Sequence, residues 1–214
     1  KIRNISQVQG SSGEHPAGVP EEAKPAGWLR LKPGSLNKRY LRVVGLLFGF
    51  HVAQWLVIPI TPLLAVHQLK LSDFQISIGA SLFSLVTFAF SFQAARLSNR
   101  WGNRKAAGIG MIGLGIFPFT LSLAGGFDMF LLAHLIGSVS WSILGVALIN
   151  YLFDNTPERD RSISMSYYIV ANNAAILIGS LVGPAIATQI GYSPSLAIFA
   201  LLRALAGVAV LLWG

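Results

Sequence analysis

An all-α integral membrane protein, a bundle of six transmembrane helices, is the fold class this sequence predicts, and three observations predict it. From Tyr40 onward, apolar runs long enough to cross a bilayer alternate with short polar breaks. Only 11% of the 214 residues are charged, against about 25% in an ordinary soluble domain, and mean hydropathy is +0.61. The runs lack the every-second-residue alternation of barrel strands. With no water to satisfy the backbone, they read as helices.

Residues 1–38 differ from the rest. They are broken by Gly10, Gly13, Gly18, Pro16, Pro20, Pro25 and Pro33 and carry scattered charge. Such a stretch buries too little apolar surface to offset its ordering entropy, so it reads as a flexible cytoplasmic linker or tail. A six-helix domain over 39–214 follows. A span needs about 20 mostly apolar residues, and runs at about 41–66, 73–95, 105–125, 128–152, 163–188 and 193–213 meet that length. The first contains Pro59 and Pro62, which can bend it. Ser72 offers the second an N-cap, Gly125-Gly126 ends the third, the charged stretch 157–161 precedes the fifth, and Gly191-Tyr192-Ser193-Pro194 opens the sixth. Connections this short predict that sequential helices are antiparallel neighbours.

The net charge of +8 does not point to nucleic acid, because the basic residues are sorted by side. Counting breaks alternately, the tail's side collects Lys1, Arg3, Lys24, Arg30, Lys32, Lys38, Arg39 and Arg42, then Arg96, Arg100, Arg104 and Lys105, then Arg159 and Arg161. The opposite side has Lys70 alone, and Arg203 lies within the last span. This bias predicts a multi-pass protein of the cell membrane with its amino-terminal tail and carboxyl end in the cytoplasm. Membrane lipid is then one partner.

Polar groups inside membrane helices are costly and face the bundle interior. In the first span, His51, Gln54, Trp55 and Ile58 share one face, suited to a cavity that stacks on and hydrogen-bonds to a small solute. In the fifth, Tyr168 and Asn172 share a face, and Asn173 points about 100° away from Asn172. These residues are candidates for substrate or coupling roles. His134, Ser138, Trp141 and Gly145 form a stripe in the fourth span that reads as helix packing. Arg203 is the sharpest single residue. It sits about 15 Å into its span, and no Asp or Glu lies deep in any run. It therefore needs a carbonyl, a polar side chain, an acid from elsewhere or an anionic solute.

No catalytic constellation is present. The chain has no cysteine, no His-Glu-x-x-His, no Gly-x-Ser-x-Gly and no Gly-x-x-x-x-Gly-Lys phosphate loop. The expectation is a non-enzyme without cofactor or metal.

The segment from Ala95 to Lys105 (Ala-Arg-Leu-Ser-Asn-Arg-Trp-Gly-Asn-Arg-Lys) resembles the signature loop of the major facilitator superfamily after the second helix of a six-helix half. The matching positions are Arg100, Gly102, Arg104 and Lys105. Ala95 stands for the usual Gly, Asn99 for the usual Asp, and Asn103 for a basic residue. Gly179-x-x-x-Gly183-Pro184 is similar to a helix-packing segment of some members, in which small residues let backbones approach. The resemblance implies half of a twelve-helix major facilitator fold. The degenerate loop and the Pro/Gly preamble fit the carboxyl-terminal half. It also implies secondary active transport of a small solute by alternating access, with a second six-helix half upstream in the same chain or supplied by a dimer partner. The alternatives are a membrane subunit of another transport assembly, such as an ATP-driven exporter, and a non-transporting structural subunit.

Overall fold

The computed structural model describes residues 38–156, 158 and 161–214. The expected linker over 1–38 falls almost wholly outside these residues, as do Pro157, Arg159 and Asp160.

The first span breaks where proline removes donors. Helix α1 runs Lys38–Val57, α2 Ile60–Leu63, and a π-helical turn covers Leu64–Gln68. Pro59 and Pro62 have no N–H for the carbonyls of Trp55 and Ile58 four residues back. Between the two prolines, Thr61 Oγ1 donates to the Val57 carbonyl at 3.2 Å. Helix α3 spans Asp73–Trp101. Its N-cap is a full capping box: Ser72 Oγ accepts from the Gln75 N–H, and Gln75 Oε1 accepts from the Ser72 N–H. Helices α4 (Asn103–Ser122), α5 (Phe127–Asp154), α6 (Arg161–Ile190) and α7 (Tyr192–Trp213) complete the bundle. Six helical segments among the described residues are long and apolar enough to cross a membrane.

Most helix ends run past the sequence reading, whereas α4 stops at Ser122, short of the expected 125. Expected at 73–95, α3 continues to Trp101, and α4 begins at Asn103. The signature segment is therefore a helix–glycine–helix corner. Charge marks where lipid ends, but Ala, Arg and Leu extend a helix readily. At 29 residues α3 is about 44 Å long, well beyond a hydrocarbon core of about 30 Å. Gly102 ends it with φ +84°, and Gly191 separates α6 from α7 with φ +92°, both conformations that glycine adopts without steric cost.

The principal neighbours are α1 with α6 and α7, α4 with α5 and α7, and α3 with α5. This corrects the expectation that sequential helices pack together, because α4 and α5 are the one sequential pair with extensive contact. Small residues choose the partners instead. A Cβ on Gly179 would lie 2.8 Å from the Trp55 carbonyl carbon, and one on Gly183 2.9 Å from Leu56 Cα, so α6 rests on the α1 backbone. Gly108, Gly115 and Gly207 bring α4 and α7 together in the same way. Exchanging the first three spans with the last three leaves this set of neighbours unchanged, so the bundle consists of two similar three-helix units.

Two apolar clusters fill the interior. One, near the Gly102 end, gathers Tyr40, Leu47, Phe50, Met111, Leu114, Leu144, Tyr151 and Val210. The other, toward Ser72 and Gly191, gathers Leu56, Ile60, Leu121, Phe130, Ala133 and Phe199. On α1, α5 and α7 the stretch between the clusters carries buried polar side chains: His51 and Gln54, Ser138 and Ser142, and Arg203.

Candidate functional site

Arg203 stands at the middle of α7 and is 3% exposed. It donates from Nη2 to the Gln54 carbonyl at 2.7 Å, from Nη1 to the Leu114 carbonyl at 3.1 Å, and from Nε to the Ala53 carbonyl at 3.4 Å. Of the partners the sequence left open, the structure selects carbonyls. Their availability follows from local chemistry. Leu114 lies four residues before Pro118, inside α4, so its carbonyl has no intrahelical donor. Gln54 lies four before Ile58, where α1 is ending, and that backbone bond is stretched to 3.3 Å. One side chain thus ties α7 to the weakened points of α1 and α4.

Beside Arg203 opens a cavity of about 500 Å³. Gln54, Ile58, Thr61 and Pro62 of the first span line it, with Ala80, Phe83 and Ser84 of α3, Leu114 and Phe117 of α4, and His134 and Trp141 of α5. It lies in the polar belt between the two apolar clusters. Its walls are mostly apolar and aromatic with a few convergent polar groups, the usual character of a small-molecule site. Gln54 Oε1 is buried with no hydrogen-bond partner. His134 Nδ1 donates to the Phe130 carbonyl at 2.8 Å, which fixes the proton on Nδ1 and leaves Nε2 as the acceptor of the neutral ring. The rings of Phe83, Phe117 and Phe130 surround that imidazole, with centroids 6.4, 5.4 and 4.2 Å away. A depression of about 420 Å³ between α4 and α7 is lined by Ile112, Gly115, Phe119, Ala200 and other apolar residues. It offers a solute no polar side chain.

The candidate residues of the first and fifth spans divide. Gln54 lines the cavity, but His51 turns to α6, where its Nε2 shares a 2.9 Å hydrogen bond with the Tyr168 hydroxyl. The Tyr40 hydroxyl donates to the Ser164 carbonyl on the same seam. Trp55 is half-buried against Gly179. Asn172 is half-buried, and exposed Asn173 donates to the Ile169 carbonyl of its own helix at 2.8 Å. None of His51, Trp55, Tyr168, Asn172 and Asn173 lines the cavity. Of the stripe read as packing, His134 and Trp141 line it, and Ser138 and Gly145 do not. Their sequence signal was present, a polar and an aromatic residue seven apart on one helical face, but periodicity alone does not separate a packing face from a cavity wall.

At the corner after α3, Asn99 and Arg100 are exposed and Ala95 is half-buried. Asn103, one of the departures from the signature pattern, forms the link. Its Oδ1 accepts from Ser98 Oγ at 3.0 Å and its Nδ2 donates to Asp154 Oδ2 at 2.7 Å. Arg104 donates to the Gly214 carbonyl at 2.9 Å, and Lys105 is exposed.

The comparisons with known proteins agree with this architecture. The family model described as Major Facilitator Superfamily matches residues 43–214. Multidrug resistance protein 1 of Bacillus subtilis (strain 168) is 24% identical over 131 residues, covering 61% of this chain and 32% of the relative. The chain thus corresponds to about a third of that relative's length. Six membrane-spanning helices, the two-unit bundle and a family match over nearly all of the described residues lead to one assignment: this chain belongs to the major facilitator superfamily, a family of membrane transporters.

Proposed function

We propose that the chain takes part in secondary active transport of a small solute across the cell membrane by alternating access. The mid-depth cavity beside Arg203 is its solute site. A second six-helix half, upstream in the same chain or from a dimer partner, completes the translocation path. The tail and the carboxyl end are cytoplasmic.

The observation that carries this reading is the cavity's position. It interrupts the buried interior midway along the helices, with an apolar cluster toward each end to act as a seal. A mid-membrane site reached alternately from each side needs that layout. Ile58, Thr61 and Pro62, at the break between α1 and the π-helical turn, line the cavity, and such irregular segments serve as hinges. Phe83, Phe117 and Trp141 favour a solute with an aromatic body. The name of the Bacillus relative, a multidrug resistance protein, is in keeping with a drug-like small solute.

The test is accumulation of a panel of fluorescent aromatic compounds in cells expressing the full chain, with and without an uncoupler that collapses the proton gradient. The reading expects altered accumulation of part of the panel, loss of that effect with the uncoupler, and a changed panel in Trp141→Ala. An effect that survives the uncoupler and depends on ATP contradicts it.

A further inference from the structure

Among the described residues, the cavity lining carries one cation, Arg203, and no carboxylate. Arg203 is buried and its three hydrogen bonds go to carbonyls, which are neutral. Carbonyl dipoles satisfy N–H groups but leave the unit charge in place. Among the described residues no carboxylate lines the cavity. Asp73, Asp128, Asp154 and Glu158 all sit at helix ends or in the turn before α6. A buried guanidinium with no anion beside it is costly, and a ligand that supplies one removes that cost.

The geometry leaves room for such a ligand. A guanidinium has five N–H donors, and three are occupied. Arg203 is one of the residues that line the cavity. The same lining carries the aromatic side chains of Phe83, Phe117 and Trp141. A molecule filling this space has its acidic end against Arg203 and its ring system among those side chains. Among the described residues, an organic cation meets a like charge and no acid to balance its own.

We infer that the solute is an anion with an aromatic or similarly flat apolar body, an aromatic carboxylate being the simplest member, held by Arg203 and the aromatic side chains of the cavity lining. This rests on the reading of the cavity as the solute site and adds the charge class.

Three probes of nearly equal shape test it: naphthoate, its neutral amide and naphthylmethylammonium. Equilibrium binding of each is measured on the purified full chain in nanodiscs of neutral lipid, with Trp141→Ala and Arg203→Lys alongside. Because a charge-assisted hydrogen bond is lost with the amide, naphthoate should bind at least about tenfold tighter than the amide, and tighter still than the ammonium. Trp141→Ala should weaken naphthoate, and Arg203→Lys should keep the order of the three probes. The wild-type comparison alone decides the point if the Arg203 variant does not fold. Amide or ammonium binding as tight as naphthoate, and weakened by Trp141→Ala, overturns the charge class and leaves the cavity as the solute site. Binding of no probe, or binding indifferent to Trp141, overturns both.

Discussion

Arg203 Nη1 donates to the Leu114 carbonyl, 3.1 Å away, at the point where Pro118 leaves that carbonyl without its intrahelical donor. The proline and the arginine are on different helices and 85 positions apart in sequence, yet each answers a problem the other poses. A mid-membrane cation needs acceptors, and an interrupted helix needs a donor. The relationship makes a double-mutant cycle informative. Arg203→Leu alone should cost about 1–3 kcal/mol, because it leaves buried carbonyls unpaired. In a Pro118→Ala background the new N–H satisfies Leu114, so the same substitution should cost at least about 0.5 kcal/mol less. Thermal unfolding in detergent reads both. Strict additivity would mean that proline and arginine are independent.

The α1–α6 seam should be the least tolerant of added volume. Backbone atoms of Trp55 and Leu56 occupy the space a Cβ on Gly179 or Gly183 would need. Backbone cannot rotate aside as a side chain can. Gly183→Ala should therefore destabilise the bundle by about 1–3 kcal/mol, and Gly183→Leu should prevent its recovery as a monodisperse species. Gly45 and Gly49, with nothing near their Cβ positions, are the controls. Alanine there should leave the melting temperature unchanged or raise it slightly.

His51 and Tyr168 form one hydrogen bond between buried side chains. Removing either end strands the other. His51→Phe and Tyr168→Phe should each cost about 1–3 kcal/mol, and the double variant should cost less than their sum. Additive losses in the melting curves would show that each residue acts through separate packing.

Topology is directly testable because the chain has no cysteine. A cysteine at Lys105 should resist a membrane-impermeant maleimide in intact cells and react after permeabilisation. A cysteine at Lys70 should react in both. The reverse pattern would invert the orientation assigned from the basic residues.

Legibility in the sequence followed locality. Ser72 as an N-cap and the small residues Gly179 and Gly183 are short-range signals, and each has its expected role in the structure. Arg203 was legible as a problem from its depth alone. Its solution was not, because Ala53, Gln54 and Leu114 contribute backbone carbonyls, which carry no side-chain signature. The division of His51 from Gln54 was hidden for a related reason. Three positions apart they share a broad face, and only the docking of α6 through Gly179 and Gly183 decides which of them meets Tyr168 and which meets open volume. Asn103 was noted as a departure from the signature pattern. Its partner Asp154 lies 51 positions away, beyond the reach of any local rule.

Ser84 lines the cavity from α3, and Ser84→Cys tests the central claim most directly. The account predicts that this cysteine, in the full chain in right-side-out and inside-out vesicles, reacts with an impermeant maleimide in both orientations. It also predicts that naphthoate slows the reaction in each. A cysteine that reacts from one face only, or at a rate that none of naphthoate, its amide and naphthylmethylammonium changes, would contradict a solute site reached alternately from both sides of the membrane.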